Sequence, residues 1–238
     1  MILLVSNSAN RLTPRAPSSA YPVGLDDMIL PAARVGHLVP DNLHQYIGDF
    51  ISPRGWGRVG KTPIWAADND AFSGFDPDKF RRMLDRIALA LEQNECTAPK
   101  FISMPDVVGN HARTLDRWHR WIHEFIDRGL PPAFVLQNGI DCHEPFSCLP
   151  PDVMKHAHAF FIGGDDPFKL GGWVREFVGM LGGGYWIHMG RVNGLRRLRY
   201  AVDIGCHSCD GSSMGRFAQD KLIPMAASLN QLTLFNAL

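Results

Sequence analysis

The sequence predicts an α/β protein, a single-domain TIM (β/α)8 barrel over residues 1–238. Apolar runs of four or five residues alternate with amphipathic helices from residue 64 onward, which is typical of βαβ units and a parallel sheet. Eight such runs occur in all, and eight βα units close a barrel. A doubly wound open sheet is the alternative, but no G-x-G-x-x-G motif follows the first run.

Each predicted strand is a short apolar run that ends at a polar residue or at glycine. In order, the strands are Ile2–Val5, a weak run near Tyr46–Ile51, Ile64–Ala67, Phe101–Met104, Ala133–Leu136, Ala159–Ile162, Tyr185–His188, and a last strand over Ala201–Ile204 that leads to Asp210. The last strand is predicted because Val202 and Ile204 alternate with polar neighbours. Residues 6–63 are rich in Pro, Gly, Asn and Arg, and their pattern is otherwise poor.

The predicted helices have apolar residues three and four positions apart. They are Asp78–Glu92, Asn110–Arg128, a short helix near Asp152–His156, Lys169–Leu181, and a short basic helix before residue 201. Asn110–Arg128 is the clearest, since Trp118, Ile122 and Phe125 share one face and Gly129 ends it.

Composition restricts the class of protein. Hydrophobic residues make up 45% and charged residues 20%, which is typical of a globular chain. Basic and acidic residues balance at 24 each, so binding to nucleic acid requires a local basic patch. Five cysteines, an odd number, favour reduced thiols in the cytoplasm. The N-terminal apolar run is too short for a signal peptide, and no run approaches the ~20 residues of a membrane helix. We therefore expect a soluble cytoplasmic protein without a membrane partner.

Polar residues and glycines follow the predicted strands, at the edge where a barrel carries its active site. They are Asp68, Asp106, Gln137, Gly163, Gly164, His188, Arg191 and Asp210. Each aspartate by itself is compatible with a helix N-cap. Three carboxylates that converge on one pocket are costly unless they are used, so the convergence indicates a functional site.

Five short segments occur in a recognisable order. They are Asp68–Phe72 (DNDAF), Met104–Asp106 (MPD), Gln137–Gly139 (QNG), Ile162–Gly164 (IGG) and Gly205–Asp210 (GCHSCD). Together they resemble the tRNA-guanine transglycosylases, whose corresponding elements are D-S-G-G-F, a base-reading aspartate, Q-G-G, G-G-L-A-V-G-E and G-x-D-x-F-D. The resemblance runs from about residue 64 to residue 211, and DNDAF matches only at its Asp and Phe. The segment Met189–Asn193 is more similar to the shorter phage relatives that insert 7-deazaguanines into DNA.

One departure from the family bears on the substrate. The tRNA enzymes carry a zinc site, C-x-C-x-x-C and a later His, after the nucleophile, and no Cys or His follows Asp210 here. The resemblance therefore predicts a barrel without the zinc-binding subdomain, with no metal and no cofactor. It favours DNA over tRNA as the substrate.

The resemblance also implies an activity and residue roles. It implies a DNA-modifying transglycosylase that exchanges guanine for a free 7-deazaguanine base, such as 7-cyano-7-deazaguanine, through a covalent aspartyl-deoxyribose intermediate. Asp210 would be the nucleophile and Asp68 the general acid/base. Asp106 and Gln137 would bind the Watson–Crick edge of the purine. The remaining predicted substrate-binding groups are the backbone amides of Gly163 and Gly164, a stacking Phe72 that is equally compatible with the core, His188 and Met189.

Two basic patches are candidates for phosphate contacts. The first follows the seventh strand and consists of Arg191, Arg196, Arg197 and Arg199, although a solvated helix face is an equal interpretation. The second is Arg54, Trp56, Arg58 and Lys61 in the irregular N-terminal region. DNA is the expected partner, and the sequence is compatible with a homodimer or with partner proteins.

Other classes of protein remain open at this point. Cys206-x-x-Cys209 is half a zinc site that Cys142, His143 and Cys148 would have to complete. An enzyme acting on RNA and an inactive nucleic-acid-binding barrel are further alternatives. A metal-assisted hydrolase would need metal ligands at several strand ends, where only the aspartates are found.

Overall fold

In the computed structural model, eight parallel strands close into one barrel in sequence order, which confirms the predicted TIM (β/α)8 fold. The strands are β1 (Ile2–Ser6), β2 (Ile47–Ile51), β3 (Trp65–Ala67), β4 (Ile102–Ser103), β5 (Pro132–Leu136), β6 (Ala159–Ile162), β7 (Trp186–Met189) and β8 (Ser208–Asp210). The structure describes residues 1–6, 40–54, 62–140, 147, 149–181, 183–212, 214 and 217–235. The weak run near Tyr46–Ile51 is therefore a strand of the barrel.

Helices pack around the outside of the sheet. They are α1 (Pro77–Glu92), α2 (His111–Ile126), α3 (Pro151–His156), α4 (Asp166–Lys169), α5 (Gly172–Met180), α6 (Leu195–Asp203) and α7 (Ile223–Phe235). Short 3-10 turns lie at Asp41–Tyr46 and Ala71–Ser73, and a π-helical turn at Ala218–Leu222. The predicted helix Lys169–Leu181 is two helices, α4 and α5, because the glycine pair Gly171–Gly172 interrupts it.

Side chains alternate between the barrel interior and the helix layer along every strand, as the period of a strand requires. On β7, Trp186 belongs to the interior cluster, whereas Ile187 and Met189 pack in the larger core between sheet and helices. On β8, Cys209 packs in the same outer core. This alternation decides which residues at the strand ends reach the pocket.

The prediction for the start of the last strand is wrong. Ala201 and Val202 lie in the last turn of α6, and β8 begins only at Ser208. The helix ends in a Schellman motif: the Cys206 N–H donates to the Ala201 carbonyl at 2.9 Å and the Gly205 N–H to the Val202 carbonyl at 3.0 Å. Gly205 has φ +90°, the left-handed conformation that this motif needs.

Several residues singled out in the sequence lie outside the described part of the chain. They are Trp56, Arg58, Lys61, Cys142, His143 and Cys148. Within the described ranges, none of the helices combines the length and the apolar character needed to cross a membrane.

We expect Gly205→Ala to lower the free energy of unfolding by about 1–2 kcal/mol, because alanine pays for the left-handed conformation. Gly179→Ala is the matched control. Gly179 lies inside α5, an added Cβ meets nothing within 4 Å, and alanine there should stabilise by about 0.5–1 kcal/mol. Urea denaturation measures both, and equal effects of the two changes would contradict the assignment of the helix end.

Candidate active site

A pocket with a volume of about 100 Å³ lies at the carboxyl ends of the strands. It is lined by Phe50, Asp68, Asn69, Ala71, Phe72, Ser103, Asp106, Val108, Val135, Gln137, Phe161, Gly163, Gly164, Lys169, Gly190, Arg191 and Asp210. The three predicted aspartates thus converge, and none of them is the N-cap of a helix, since Asp76, Asn110 and Asp165 cap α1, α2 and α4. The volume suits one small group rather than a whole polymer segment.

Asp210 is the last residue of β8 and points into the barrel. Its Oδ1 accepts a hydrogen bond from the backbone N–H of Arg191 at 3.1 Å and lies 3.1 Å from His188 Nε2. Among the described residues, its Oδ2 has no hydrogen-bond partner. One oxygen therefore fixes the carboxylate, and the other is left for the pocket.

A buried chain of hydrogen bonds fixes the tautomer of His188. The indole N–H of Trp186 can only donate, so Ser208 Oγ accepts it at 2.8 Å. The Ser208 hydroxyl proton then goes to its other neighbour, His188 Nδ1, at 2.9 Å. His188 Nδ1 is consequently an acceptor, and Nε2 carries the proton that is donated to Asp210.

Asp68 follows β3 and lies on the pocket wall. Burial, followed by the negative charges of Asp210, Asp106 and Asp70, raises the pKa of Asp68 to about 8. The backbone N–H of Asn69, 2.9 Å from Oδ1, opposes the shift only in part. At neutral pH Asp68 is a protonated carboxylic acid that can give a proton to a bound group.

Asp106 is held between two amide side chains. Asn69 Nδ2 donates to its Oδ1 at 2.8 Å, and Gln137 Nε2 donates to its Oδ2 at 2.6 Å. Burial raises the pKa of Asp106, and the two amides counteract this by favouring the charged form. The guanidinium of Arg117 donates to the Asp106 carbonyl from behind. Asp106 is therefore fixed with both oxygens oriented by donors.

Gln137 lines the pocket, but its amide is committed to the protein. Its Oε1 accepts the Gly109 N–H at 2.8 Å while its Nε2 binds Asp106. Nε2 keeps one further N–H for a ligand. Gln137 thus orients Asp106 as well as facing the pocket.

The predicted role of the Gly163 amide is wrong, because that N–H donates to the Leu136 carbonyl at 3.0 Å. The glycine itself is required: a Cβ there would lie 2.7 Å from Gln137 Nε2 and 3.0 Å from the Leu136 carbonyl. Gly164 lines the pocket beside it. Gly163 therefore allows the loop after β6 to approach Gln137 closely.

Phe72 stands at the pocket mouth with 67% of its surface exposed, so it is not a core residue. The guanidinium carbon of Arg191 lies 4.4 Å from its ring centroid. Arg54 holds the turn that carries Phe72, since its guanidinium binds Asp70 at 3.2 Å and the Ser73 carbonyl at 2.7 Å. An aromatic ring and a planar cation therefore flank the entrance.

The basic cluster after β7 is only partly at the pocket. Arg191 lines it, and Arg197 lies close behind, where it donates to Asp166 and, at 3.3 Å, to the Arg191 carbonyl. Arg196 and Arg199 are exposed on α6 and do not line the pocket.

Two predicted substrate-binding residues do not reach the pocket. Met189 packs in the outer core because alternation along β7 turns it away from the barrel interior. His188 points inward but is fully buried beneath Asp210, so it binds the carboxylate rather than a substrate.

Two cysteines of the alternative zinc site, Cys206 and Cys209, face away from the pocket. Cys206 and Cys209 are buried in the outer core. Burial raises the pKa of the Cys206 thiol to about 12, and the pKa of Cys209 is also raised by burial and by the charge of Asp210. Among the described residues, no group of three His, Cys, Asp or Glu side chains is placed to hold a metal ion.

Three polar residues of the pocket were assigned no role from the sequence. Asn69 lies within the recognised DNDAF segment, Ser103 is an inward residue of β4, and Lys169 ends α4. Ser103 Oγ is buried and has no hydrogen-bond partner among the described residues. Strand alternation would have identified Ser103. No signal in the sequence identifies Lys169, because it lies at the end of α4 rather than directly after β6.

Comparisons with known proteins inform the fold. No family model and no curated protein matches the sequence. A solved structure described as "Native KDPGal structure" is similar with a TM-score of 0.51 and 14% identity, over 97% of this chain and 92% of that chain. That structure is also a TIM barrel, a fold widely used by enzymes, with the active site on the face where this pocket lies. At this identity the likeness concerns the fold alone.

The raised pKa of Asp68 predicts a pH-dependent stability. Between about pH 4 and about pH 8 the folded protein keeps a proton that the unfolded chain releases, so stability falls as pH rises through this window. Asp68→Asn removes this contribution to the pH dependence. As pH rises from about 5 to about 8, we therefore expect the free energy of unfolding of the variant to increase relative to that of the wild type. Urea denaturation at both pH values measures the difference. Asp116→Asn, on the exposed face of α2, is the control. A difference that does not change with pH would mean that Asp68 is ionised in the folded state.

The hydrogen-bond chain predicts the tautomer of His188. In long-range ¹⁵N–¹H spectra of the imidazole rings, we expect His188 to carry its proton on Nε2, whereas the exposed His123 shows averaged tautomers. Ser208→Ala removes the donor to Nδ1 and should abolish this preference. A proton on Nδ1 in the wild type would show that the chain runs in the other direction.

Proposed function

We propose that this chain is a transglycosylase that exchanges guanine in DNA for a 7-deazaguanine base through a covalent aspartyl-deoxyribose intermediate. The observation that carries the proposal is a pair of carboxyl groups in one pocket with different environments. Asp68 is protonated at neutral pH, and Asp210 is oriented by two donors with one oxygen unpartnered in the described chain. Base exchange with retention needs this pair, an acid and a nucleophile.

In the first half-reaction, Asp210 Oδ2 attacks C1′ of the deoxyribose. The bond between C1′ and the base nitrogen breaks, and its electron pair leaves with the guanine. Asp68 gives its proton to the departing base and becomes a carboxylate. The sugar is then held as an ester of Asp210, and the His188 N–H continues to bind the ester's Oδ1.

The second half-reaction reverses the roles. The incoming base gives its ring N–H proton to the Asp68 carboxylate, and its nitrogen attacks C1′. The ester bond to Asp210 breaks, which regenerates the carboxylate. Protons and bonds balance over the two steps, and both carboxyl groups return to their starting states.

The charge distribution around the pocket supports a nucleic acid as the substrate. Asp106 and Asp210 make the interior negative, while Arg191 lines the pocket at its mouth. Arg197 lies behind Arg191, and Arg54 binds the turn that carries Phe72. Arginines can bind phosphates outside while a single base enters, and the small pocket requires that the base be flipped from its stack. Exposed Phe72 provides a ring on which such a base can stack.

Trapping on DNA tests the proposal. Wild-type protein, incubated with labelled DNA without free base and then denatured, should form a covalent adduct, and it should incorporate labelled guanine. Asp210→Asn should abolish both, whereas Asp68→Asn should slow both half-reactions by about 10²–10⁴-fold through lost proton transfer. Asp116→Asn, far from the pocket on α2, should behave as wild type.

Three results would contradict parts of the proposal. Exchange without an adduct in any variant would exclude the covalent intermediate. An adduct that survives in Asp210→Asn but not in Asp68→Asn would mean that the two roles are reversed. Exchange in RNA but not in DNA of the same sequence would show that the substrate is RNA rather than DNA.

The pocket mouth gives a further test. Phe72→Ala should weaken binding of single-stranded DNA, because base–aromatic stacking contributes about 1–3 kcal/mol per base. Phe217→Ala is the matched control, since Phe217 is also exposed (54%) but does not line the pocket. Fluorescence anisotropy at fixed salt measures both, and an equal loss in the two variants would rule out a specific role for Phe72.

A further inference from the structure

The side of the pocket between β6 and β7 carries several basic side chains. Lys169 and Arg191 both line the pocket there, and Arg197 lies behind them. Asp166 contacts two of these cations: its carboxylate accepts from Arg197 and lies 3.5 Å from Lys169 Nζ. Asp165, the N-cap of α4, is exposed. Asp210 is the third carboxylate here, since its Oδ1 accepts the Arg191 N–H at 3.1 Å. Lys169 and Arg191 are the cations that line the pocket itself.

Lys169 is held in place by two contacts and has one N–H donor left. Only 3% of the residue is exposed, and its Nζ donates to the Gly190 carbonyl at 3.2 Å besides facing Asp166. An ammonium group has three N–H donors, so one remains for the pocket that Lys169 lines. A buried cation that faces a ligand favours an electron-rich or anionic group and repels another cation.

The position of a bound purine follows from the proposed function, on which this inference rests. Because Asp210 on β8 attacks the sugar, the sugar-bearing nitrogen of the purine lies beside it. Asp106 after β4 binds the edge of the purine that carries N1 and the amino group.

Phe50 on β2 and Phe161 on β6 both line the pocket from within the barrel and stack on each other at 6.3 Å. Past the strand ends the two paths differ: after β3 the lining includes the side chains of Asp68, Asn69 and Phe72, whereas after β6 and β7 it includes Gly163, Gly164 and Gly190. The longer purine edge, with O6 and position 7, therefore faces the glycine side. Along this edge, position 7 lies between O6 and the sugar-bearing nitrogen. The substituent at position 7 therefore lies toward β6 and β7, on the side of Lys169.

We propose that Lys169 selects the incoming base by the charge of its 7-substituent. A 7-deazaguanine with an electron-rich, uncharged or anionic end, such as a nitrile or a carboxylate, is favoured. A 7-aminomethyl base, whose ammonium would meet Lys169 and Arg191, is disfavoured. The same site then accepts guanine, which has no 7-substituent, as the leaving base.

Comparison between free bases tests this selection. Release of labelled guanine from DNA is measured with 7-cyano-, 7-carboxy- and 7-aminomethyl-7-deazaguanine as incoming bases. Wild-type protein should prefer the first two over the third by about tenfold or more, because like charges repel in a partly buried site. Lys169→Met should lose the preference, and Lys169→Arg, which keeps the charge, should retain it. Lys155→Met, an exposed lysine on α3, is the matched control and should behave as wild type.

Each base is assayed separately with the same protein preparation, and the readout is the ratio of the rates, so a reduced folded fraction in a variant does not affect it. A wild-type preference for the aminomethyl base, or a preference unchanged in Lys169→Met, would overturn the inference. Absence of labelled-guanine exchange by the wild type would instead contradict the proposed function. In that case, calorimetric binding of the three free bases to wild type and Lys169→Met tests the charge selection by itself. The wild type should bind the cyano and carboxy bases more tightly than the aminomethyl base, and Lys169→Met should lose this difference. Tighter binding of the aminomethyl base by the wild type, or a difference unchanged in Lys169→Met, would overturn the inference.

Discussion

Repulsion among carboxylates is the constraint on which the structure of this pocket depends. Asp68, Asp106 and Asp210 face one small space, and their negative charges cannot all be exposed to one another without cost. The protein deals with each differently. Asp68 keeps a proton, Asp106 accepts from two amide side chains, and Asp210 accepts from a backbone N–H and an imidazole. The buried positions of Asn69, Gln137 and His188 follow from these requirements.

Much of the fold was predictable because strands of a barrel are short apolar runs with helices between them. The error at β8 arose because Val202 and Ile204, two positions apart, imitate a strand, while their actual neighbours Leu198 and Ala201 show the helical spacing. Glycine at position 205 was correctly seen as a break, but it ends a helix rather than a strand.

The pocket was predictable to the extent that its residues follow strands directly. Asp68, Asp106 and Asp210 lie at such ends, and the barrel brings them together. Met189 was misplaced because nearness to a strand end does not determine which face a side chain takes. Lys169 was missed because it reaches the pocket from a helix, through a long side chain whose direction the sequence does not encode. The Gly163 amide was misjudged because its partner, the Leu136 carbonyl, belongs to the neighbouring strand.

The buried chain from Trp186 to Asp210 has an optical consequence. Trp186 lies at the opposite end of β7 from the pocket, where its ring stacks on His207 and the Lys100 ammonium lies 5.4 Å from its centroid. Its indole N–H is joined to Asp210 through Ser208 and His188 alone. Any change in the charge of Asp210 therefore alters the hydrogen bonds that polarise this chromophore. Trp186 is one of six tryptophans, and its share of the emission, isolated by comparison with a Trp186→Phe variant, follows events at the carboxylate in the unlabelled protein from the far side of the barrel.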